Sequence, residues 1–184
     1  MEDNFITHAK IIRDVLIIKR PTFPDDRGLF REPFRLNDLE KELGHEFNIC
    51  QWNHAVSKPK VIRGLHAENW NKLVYLATGK STSFLVDIRP ESETFGKVEK
   101  IELDESDLQA LYIPKGVANS ICVVSENEVN YMYLVDAYYD GKDTTAIAWD
   151  DPDLNIDWPI KDPVISERDR NNPKLRDLFP EKFK

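Results

Sequence analysis

The sequence is poor in cysteine and has no long apolar run, and both shortages narrow the class of protein. Only two cysteines, Cys50 and Cys122, occur in 184 residues. Both stand in apolar, strand-like surroundings, so we expect buried free thiols in a reducing compartment and no disulfide.

No run approaches the roughly 18 apolar residues of a membrane helix, and the acidic first residues lack the apolar core of a signal peptide. We therefore expect a cytoplasmic protein that has no membrane partner.

Glycine is scarce as well, and the 33 acidic residues outnumber the 25 lysines and arginines. None of the seven glycines belongs to a pattern that cradles a phosphate between a strand and a helix, which argues against Rossmann and P-loop nucleotide sites. The net charge of −8 argues against a nucleic-acid partner, because such proteins present a basic face. A local basic pocket for a phosphorylated small molecule stays open.

What the sequence does contain is a series of short β-type segments. A content of 41% hydrophobic and 32% charged residues is typical of a globular protein, and we expect residues 1–184 to form a single domain. The predicted strands cover residues 14–18, 29–34, 48–52, 61–65, 73–77, 83–88, 98–103, 110–113, 118–124, 128–135 and 145–149. This spacing, with one short helix, indicates an antiparallel sandwich or jelly roll.

The remaining segments are predicted from their capping and turn residues. A helix over 37–43 has Asn37 as its N-cap and ends at Gly44. Residues 21–28 are rich in strand breakers and predict a turn. The charged, proline-punctuated segment from about 160 to 184 is predicted to cover the surface, with a short helix near 166–170.

The stretch 61–72 concentrates residues that can carry chemistry. Its β-branched start predicts a buried strand, and Arg63 and His66 are expected where that strand ends and the chain turns. An arginine offers a planar charged fork for phosphate, a histidine titrates near neutral pH, and Lys72 can stabilise negative charge on an oxygen. A strand end with ordinary surface charges is the alternative reading of the same residues.

Two common chemistries find no support. Metal sites in small β-barrels use a His-x-His pair, but no two of the four histidines are two residues apart, and Asn119 stands where a later histidine ligand belongs. No Gly-x-Ser-x-Gly elbow occurs, and neither cysteine has a motif that activates it. We therefore predict no metal and no cofactor.

Acid–base chemistry by side chains alone remains. Its candidates are His66, Lys72, Asp169 and the tyrosines at 131, 133, 138 and 139. Aromatic packing on strand faces is the plainer reading of the tyrosines. A helix-start carboxylate or a surface ion pair is the plainer reading of Asp169.

A set of short motifs, in a fixed order along nearly the whole chain, makes a resemblance specific. The motifs are FPDDRGLFRE at 23–32, QWN at 51–53, RGLH at 63–66, KLV at 72–74, VDIRPESETFG at 86–96, IPKG at 113–116, Tyr133, YY at 138–139, WDDP at 149–152 and ISERD at 165–169. Together they resemble the dTDP-4-dehydrorhamnose 3,5-epimerase family, which acts on nucleotide-linked 4-keto-6-deoxy sugars.

The resemblance implies a fold, an assembly and residue roles. The fold is a jelly-roll, cupin-like barrel without a required metal, and the assembly is a homodimer in which the N-terminal strands, about 1–35, reach across to the partner. By position, His66 matches the catalytic base, Asp169 its carboxylate, Tyr133 the acid on the opposite face of the sugar, and Lys72 the residue beside the keto oxygen. Diphosphate or sugar contacts fall on Arg63, Asn119 and Arg168. Nucleotide contacts fall on Phe23, Arg27, Phe30, Glu32, Gln51, Asn53 and Tyr139.

The chemistry of these residue types agrees with those roles. A C–H bond beside a ketone ionises to an enolate, and Lys72 can stabilise the developing oxyanion. Inversion requires a proton to leave one face of the ring and return on the other, which needs a base and an acid on opposite sides. A histidine with a carboxylate partner suits the first task, and the phenol of Tyr133 suits the second.

Three departures from the common family pattern leave details open. Asn119 stands in place of a histidine, Ser83 in place of an acidic residue, and the loop from His66 to Lys72 is shorter. The nucleotide and the number of inverted carbons therefore stay undetermined. The prediction is a nucleotide-sugar 3,5-epimerase in deoxysugar synthesis for surface polysaccharide. The alternatives are a C3-only epimerase, a 3,4-ketoisomerase, or a non-catalytic nucleotide-sugar binding module.

Overall fold

The computed structural model describes residues 5–140 and 145–183, which form two antiparallel sheets, a separate ribbon and short helices. The strands are β1 Ile6–His8, β2 Leu16–Lys19, β3 Thr22–Asp25, β4 Gly28–Arg31, β5 Gln51–Ser57, β6 Ile62–Ala67, β7 Lys72–Thr78, β8 Lys80–Asp87, β9 Val98–Asp104, β10 Gln109–Ile113, β11 Val117–Val123, β12 Val129–Val135 and β13 Thr145–Ala146. The helices are α1 Leu36–Leu43, α2 Glu167–Arg170 and α3 Leu175–Leu178, followed by a 3-10 turn over Pro180–Phe183. None of the helices in these residues is long and apolar enough to cross a membrane.

The two sheets face each other and bury the main core between them. One sheet has six strands in the order β1-β2-β10-β7-β12-β5, and the other has five in the order β13-β6-β11-β8-β9. Alternation along β12 sends Val129 and Tyr131 into this core, where they meet Leu85 of β8 and Ile121 of β11, as the two-residue period of a strand requires. The predicted antiparallel all-β architecture is confirmed.

The outer face of each sheet is covered by a different part of the chain. Leu39 of α1 and Phe47, the latter fully buried, pack on Tyr112 of the six-stranded sheet. On the other side, Leu175 and Trp158 of the C-terminal part pack against the five-stranded sheet around Phe84. Residues on the C-terminal side of β13 therefore cover the five-stranded sheet.

Two local predictions about the N-terminal part are wrong. The helix begins at Leu36 rather than after Asn37, its N-cap is Arg35, and no side chain caps it. Its C-terminal end is as predicted, because Gly44 adopts the left-handed conformation at φ +72°. The predicted turn over 21–28 is instead a hairpin, in which β3 and β4 pair closely around a turn at residues 26 and 27.

Several strand boundaries also differ from the prediction. The predicted strand 29–34 ends at Arg31, the segment 48–52 pairs only from Gln51 and continues to Ser57, and 145–149 pairs only over its first two residues. The helix predicted near 166–170 is present, with the Ser166 hydroxyl accepting a hydrogen bond from the Asp169 N–H at 3.1 Å.

Both cysteines are free, and burial raises the pKa of Cys122 to about 12.

Candidate active site

A cavity of about 530 Å³ opens between the two sheets, and side chains from both sheets line it. The five-stranded sheet contributes Arg63 and His66 from β6 and Asn119 from β11, whereas the six-stranded sheet contributes Lys72 from β7 and Tyr131 and Tyr133 from β12. Arg168 and Asp169 enter from α2. The cavity thus collects the four predicted catalytic residues and three predicted substrate contacts.

An irregularity in β6 brings Arg63 and His66 to the same cavity. Residues three apart on a regular strand point to opposite faces, but here the register against β11 pairs His66 with Asn119 and Arg63 with Ile121. One extra residue on β6 is thereby accommodated as a bulge. Arg63 and His66 therefore both lie inside β6, and the prediction that the strand ends and the chain turns at these residues is wrong.

Gly64 makes this bulge possible. It has φ +120°, and a Cβ atom there would lie 2.6 Å from the backbone oxygen of Asn119 and 2.8 Å from the Cα of Ser120. Any other residue would clash with β11 backbone, which cannot move without breaking its pairing with β8. The glycine of the RGLH motif therefore has a backbone role beside the histidine.

His66 is held by Asp169. The imidazole Nε2 lies 2.6 Å from Asp169 Oδ1, so Nε2 carries the proton against the carboxylate and Nδ1 of the neutral ring is the free basic nitrogen. The other oxygen, Oδ2, accepts the Gly64 N–H at 3.3 Å. Burial opposes the charge of Asp169, but these hydrogen bonds, led by that of His66, hold the pKa of Asp169 below its usual value.

Lys72 is almost completely buried and bonds to two acceptors. Its ammonium donates to Glu68 Oε2 at 2.7 Å and to Asn119 Oδ1 at 2.8 Å. It also lies 5.0 Å from the centre of the Tyr133 ring. The Asn119 amide nitrogen in turn donates to the Tyr131 hydroxyl at 3.2 Å. Asn119 is therefore engaged with protein groups on both sides of its amide.

Tyr133 stands in surroundings that keep its phenol protonated. Burial and the negative charge of Glu68 raise the pKa of Tyr133, whereas Arg63 lowers it by a smaller amount. Tyr131 is buried more deeply, and burial raises its pKa further. A phenol that retains its proton at neutral pH is a proton donor rather than a base.

A second cavity of about 320 Å³ shares residues with the first. Gln51, Asn53, Trp70 and Tyr139 line it together with His66, Glu68, Tyr133 and Arg168. Gln51 donates to the Asn53 side-chain oxygen at 2.6 Å, and Trp70 packs edge-on against Tyr139. Three predicted nucleotide contacts are therefore grouped beside the catalytic cavity.

The other four predicted nucleotide contacts lie elsewhere. Phe23, Arg27 and Phe30 belong to the ribbon β3–β4, Glu32 follows it, and none of them lines either cavity. Phe23 and Phe30 are 58% and 66% exposed. Arg27 bonds to Asp25, and Glu32 accepts from Arg35 and Arg20. Within this chain the structure does not bring these four residues to the site.

Comparison with known proteins identifies the family to which this arrangement belongs. The family model described as dTDP-4-dehydrorhamnose 3,5-epimerase matches residues 9–177. The enzyme of that name from Shigella flexneri is 36% identical over 170 residues, which cover 90% of this chain and 93% of the relative. The chain belongs to the dTDP-4-dehydrorhamnose 3,5-epimerase family.

Solved structures of epimerases share the fold. That of dTDP-6-deoxy-D-glucose-3,5-epimerase from Legionella pneumophila, in complex with dTDP-4-keto-L-rhamnose, has a TM-score of 0.88 at 32% identity and covers 96% of this chain and 95% of its own. ChmJ, a 3'-monoepimerase from Streptomyces bikiniensis in complex with dTDP-quinovose, has a TM-score of 0.88 at 28% identity, covering 96% and 90%. The predicted jelly-roll, cupin-like fold and the predicted nucleotide-sugar epimerase are confirmed.

The site of this epimerase-family chain includes three residues that the motifs did not single out. Glu68 pairs with Lys72, Trp70 lines the second cavity with an indole N–H that has no partner among the described residues, and Tyr131 anchors Asn119. An acidic residue four positions before a lysine was the available signal for Glu68. Tyr131 was one of four tyrosines considered as acid–base candidates, but no motif included it. Trp70 carried no signal that separated it from ordinary packing.

Metal ligands are not grouped in this part of the epimerase. Within residues 5–140 and 145–183, no three histidine, cysteine, aspartate or glutamate side chains are arranged to hold a metal ion. Asn119, at the position where a metal cupin has a ligand, already has its oxygen on the Lys72 ammonium.

Proposed function

We propose that this chain inverts C3 and C5 of a dTDP-linked 4-keto-6-deoxyhexose by proton abstraction and reprotonation at its own side chains. The observation that carries the proposal is the grouping of His66 with Asp169, Tyr133 and Lys72 around one cavity. It contains a base, a proton donor and a cation, which is the set that an enolate mechanism needs.

The first step is removal of the proton at C3 by His66. Its Nδ1 takes the proton while Nε2–H remains on Asp169, and the carboxylate stabilises the imidazolium that forms. The C–H electron pair moves into the ring and negative charge develops on the C4 oxygen. Lys72 donates to that oxygen, and its effect is large because the ammonium is nearly excluded from water.

The second step is delivery of a proton to the opposite face of C3 by Tyr133. Because the pKa of Tyr133 is raised, its phenol is protonated before the reaction and can donate that proton. The tyrosinate and the imidazolium then return to their resting states by exchange with solvent. The same pair of groups repeats the two steps at C5, which is also adjacent to the C4 ketone.

The nucleotide diphosphate is bound by the second cavity and by a second copy of the chain. Gln51, Asn53 and Tyr139 supply amide and aromatic groups, and Arg63 and Arg168 supply charge for the diphosphate. The ribbon β3–β4 presents exposed Phe23, Leu29 and Phe30. An isolated two-stranded ribbon with an apolar surface has marginal stability in water, so we infer that it packs on a partner and completes that partner's nucleotide site.

The product serves deoxysugar synthesis in the cytoplasm for a surface polysaccharide. This part of the proposal follows from the family and from the sequence expectations given above. The proposed reaction needs no membrane and no nucleic-acid partner.

The test is proton NMR in heavy water with dTDP-4-keto-6-deoxyglucose, followed by its CDP and GDP counterparts. We expect deuterium at both C3 and C5 with the dTDP sugar. Deuterium at C3 alone would indicate a monoepimerase, or a ketoisomerase if the carbonyl moves. No exchange with any of the three sugars would support the binding-module alternative. Elution as a dimer in size-exclusion chromatography, and as a monomer after Phe23→Asp with Phe30→Asp, tests the assembly.

A further inference from the structure

Among the described residues, Glu68 is the one carboxylate that lines both the catalytic cavity and the second cavity. It follows the end of β6, in the connection 68–71 that passes from the five-stranded sheet to Lys72 at the start of β7. The connection is short enough for Glu68 to face Lys72 four residues later. The proposed mechanism assigns Glu68 no step of its own.

The ion pair between these residues is unusually well buried for a charged pair. The side chains of Lys72 and Glu68 are 7% and 14% exposed. Removing two charges from water has a high cost, which is recovered only when the pair is close and further bonds satisfy it. Here the separation is 2.7 Å and Asn119 supplies the further acceptor at 2.8 Å.

These two acceptors determine where the ammonium group can point. An ammonium has three hydrogens, and Glu68 and Asn119 take two of them from the side of the five-stranded sheet. Lys72 itself belongs to the six-stranded sheet. The lysine side chain is therefore fixed across the interior, with one hydrogen left for a ligand in the cavity.

We propose that Glu68 is a positioning residue of the epimerase, which together with Asn119 holds the Lys72 ammonium so that its remaining hydrogen meets the keto oxygen of the sugar. The inference rests on the proposed function, because it assigns Glu68 a task only if Lys72 acts on an enolate oxygen. Glu68 acts through Lys72 and needs no contact with the reacting atoms.

The charge of Glu68 has a second effect, on Tyr133. The charged or titratable groups that face this phenol are Arg63, His66 and Glu68 from β6 and the connection after it, Lys72 from β7, Tyr131 from its own strand, and Arg168 and Asp169 from α2. Of these, Glu68 favours the protonated phenol and Arg63 opposes it. Removal of the Glu68 charge should therefore move the alkaline limb of the pH–rate profile to lower pH.

The experiment compares Glu68→Ala with Glu68→Gln in the purified full chain, using steady-state kinetics and C3 exchange with dTDP-4-keto-6-deoxyglucose. Alanine removes both the acceptor and the charge, whereas glutamine retains an oxygen for Lys72. We expect kcat to fall about 10-fold or more in Glu68→Ala with KM changed by less than about 3-fold, because the lysine contact strengthens only as charge develops. Glu68→Gln should lose less and should show the shifted alkaline limb.

A double-mutant cycle decides whether the effect passes through Lys72. In a Lys72→Met background, Glu68→Ala should cause no further loss in the residual exchange rate. The matched control is Glu102→Gln, an exposed glutamate paired with Lys100 on β9, which should leave both kinetic constants unchanged.

The failure of this inference can be told apart from failure of the proposed function. Absence of exchange in the unmodified protein overturns the function. Exchange in the unmodified protein together with a normal kcat in Glu68→Ala, a change confined to KM, or full additivity in the cycle overturns the positioning role. If Glu68→Ala does not fold, Glu68→Gln with an unshifted alkaline limb and unchanged kcat overturns it instead.

Discussion

Two buried groups of charged side chains, one around Asp87 and one in the catalytic cavity, differ in how completely their hydrogen bonds are used. At the C-terminal end of β8, Asp87 is fully buried and accepts five hydrogen bonds, three from Arg89 and one each from Ser92 and Thr94. In the cavity, Nδ1 of His66 and one hydrogen of the Lys72 ammonium are not used in hydrogen bonds to the described residues.

The difference separates a structural charge cluster from a reactive one. A buried carboxylate whose acceptor positions are all occupied has nothing left to offer a ligand, and its role is to fix the loop 89–96. Charges that are buried but incompletely bonded are expensive, and they persist where a substrate completes them. Both clusters belong to motifs of the family, so motif membership alone does not make this distinction.

Replacement of His66 should have the largest effect on activity. His66→Ala removes the base, so we expect exchange at both C3 and C5 to fall by about 10³-fold or more per folded molecule. The loss of the hydrogen bond to buried Asp169 also lowers stability, which urea unfolding measures separately. Asp169→Asn should show a smaller loss of exchange. The measurement is deuterium incorporation, with exposed His45→Ala as the control. Full exchange in His66→Ala would contradict the base assignment.

Replacement of Asp87 should have the opposite signature. Asp87→Ala leaves Arg89 without its main partner and two hydroxyls without an acceptor, and breaking such a buried pair costs about 3–5 kcal/mol of unfolding free energy. Urea unfolding measures the loss. The control is Asp107→Asn, whose exposed pairing with Lys19 is worth less than about 1 kcal/mol. If exchange per folded molecule fell more than stability explains, the structural reading of this cluster would be wrong.

Replacement of Tyr133 should divide the reaction into its two halves. Tyr133→Phe retains the ring beside Lys72 but removes the proton donor. We expect C3 exchange through His66 to continue while inverted product falls by about 10²-fold. NMR reports both quantities in one sample, and Tyr112→Phe, a buried tyrosine outside both cavities, is the control. Equal loss of exchange and inversion would show that Tyr133 does not act as a separate acid.

The sequence predicted the sheets well because alternation and β-branched content report burial directly. It predicted the grouping of His66, Lys72, Tyr133 and Asp169 only through the family resemblance. Composition and spacing cannot show that Asp169 lies beside His66, because the two residues are 103 positions apart in the chain. That contact depends on how the C-terminal segment returns over the five-stranded sheet.

The parts that the sequence did not predict have physical reasons as well. The bulge in β6 depends on the close approach of Gly64 to β11. The sequence does not reveal this, because a glycine after β-branched residues is equally typical of a turn. The hairpin over 22–31 contains proline and few apolar core residues, so its composition resembles a loop. The pairing of Glu68 with Lys72 could be guessed from spacing, but its burial could not, because burial is set by the two sheets together.

The smallest expected effect is the pH dependence of stability that the buried carboxylate of Asp87 causes. Burial opposes ionisation of Asp87, but hydrogen bonds from Arg89, Ser92 and Thr94 lower the pKa of Asp87 from 3.8 to about 2. Because the folded pKa is below the unfolded one, this carboxylate stabilises the fold above pH 4 and the contribution disappears as the pH falls toward 2. The shift corresponds to about 2 kcal/mol.

We therefore compare unfolding over about two pH units, from about pH 4.5 to about pH 2.5. In this window the free energy of unfolding should fall more steeply for the unmodified protein than for Asp87→Asn. Urea unfolding at several pH values in this window measures both slopes, and Asp107→Asn again serves as the control. The pKa of Asp169 is lowered as well, so its protonation has the same sign. Its consequence should appear in the exchange rate, because protonated Asp169 no longer stabilises the imidazolium of His66. Parallel slopes for the unmodified protein and Asp87→Asn would contradict the account of Asp87 as the fully bonded charge.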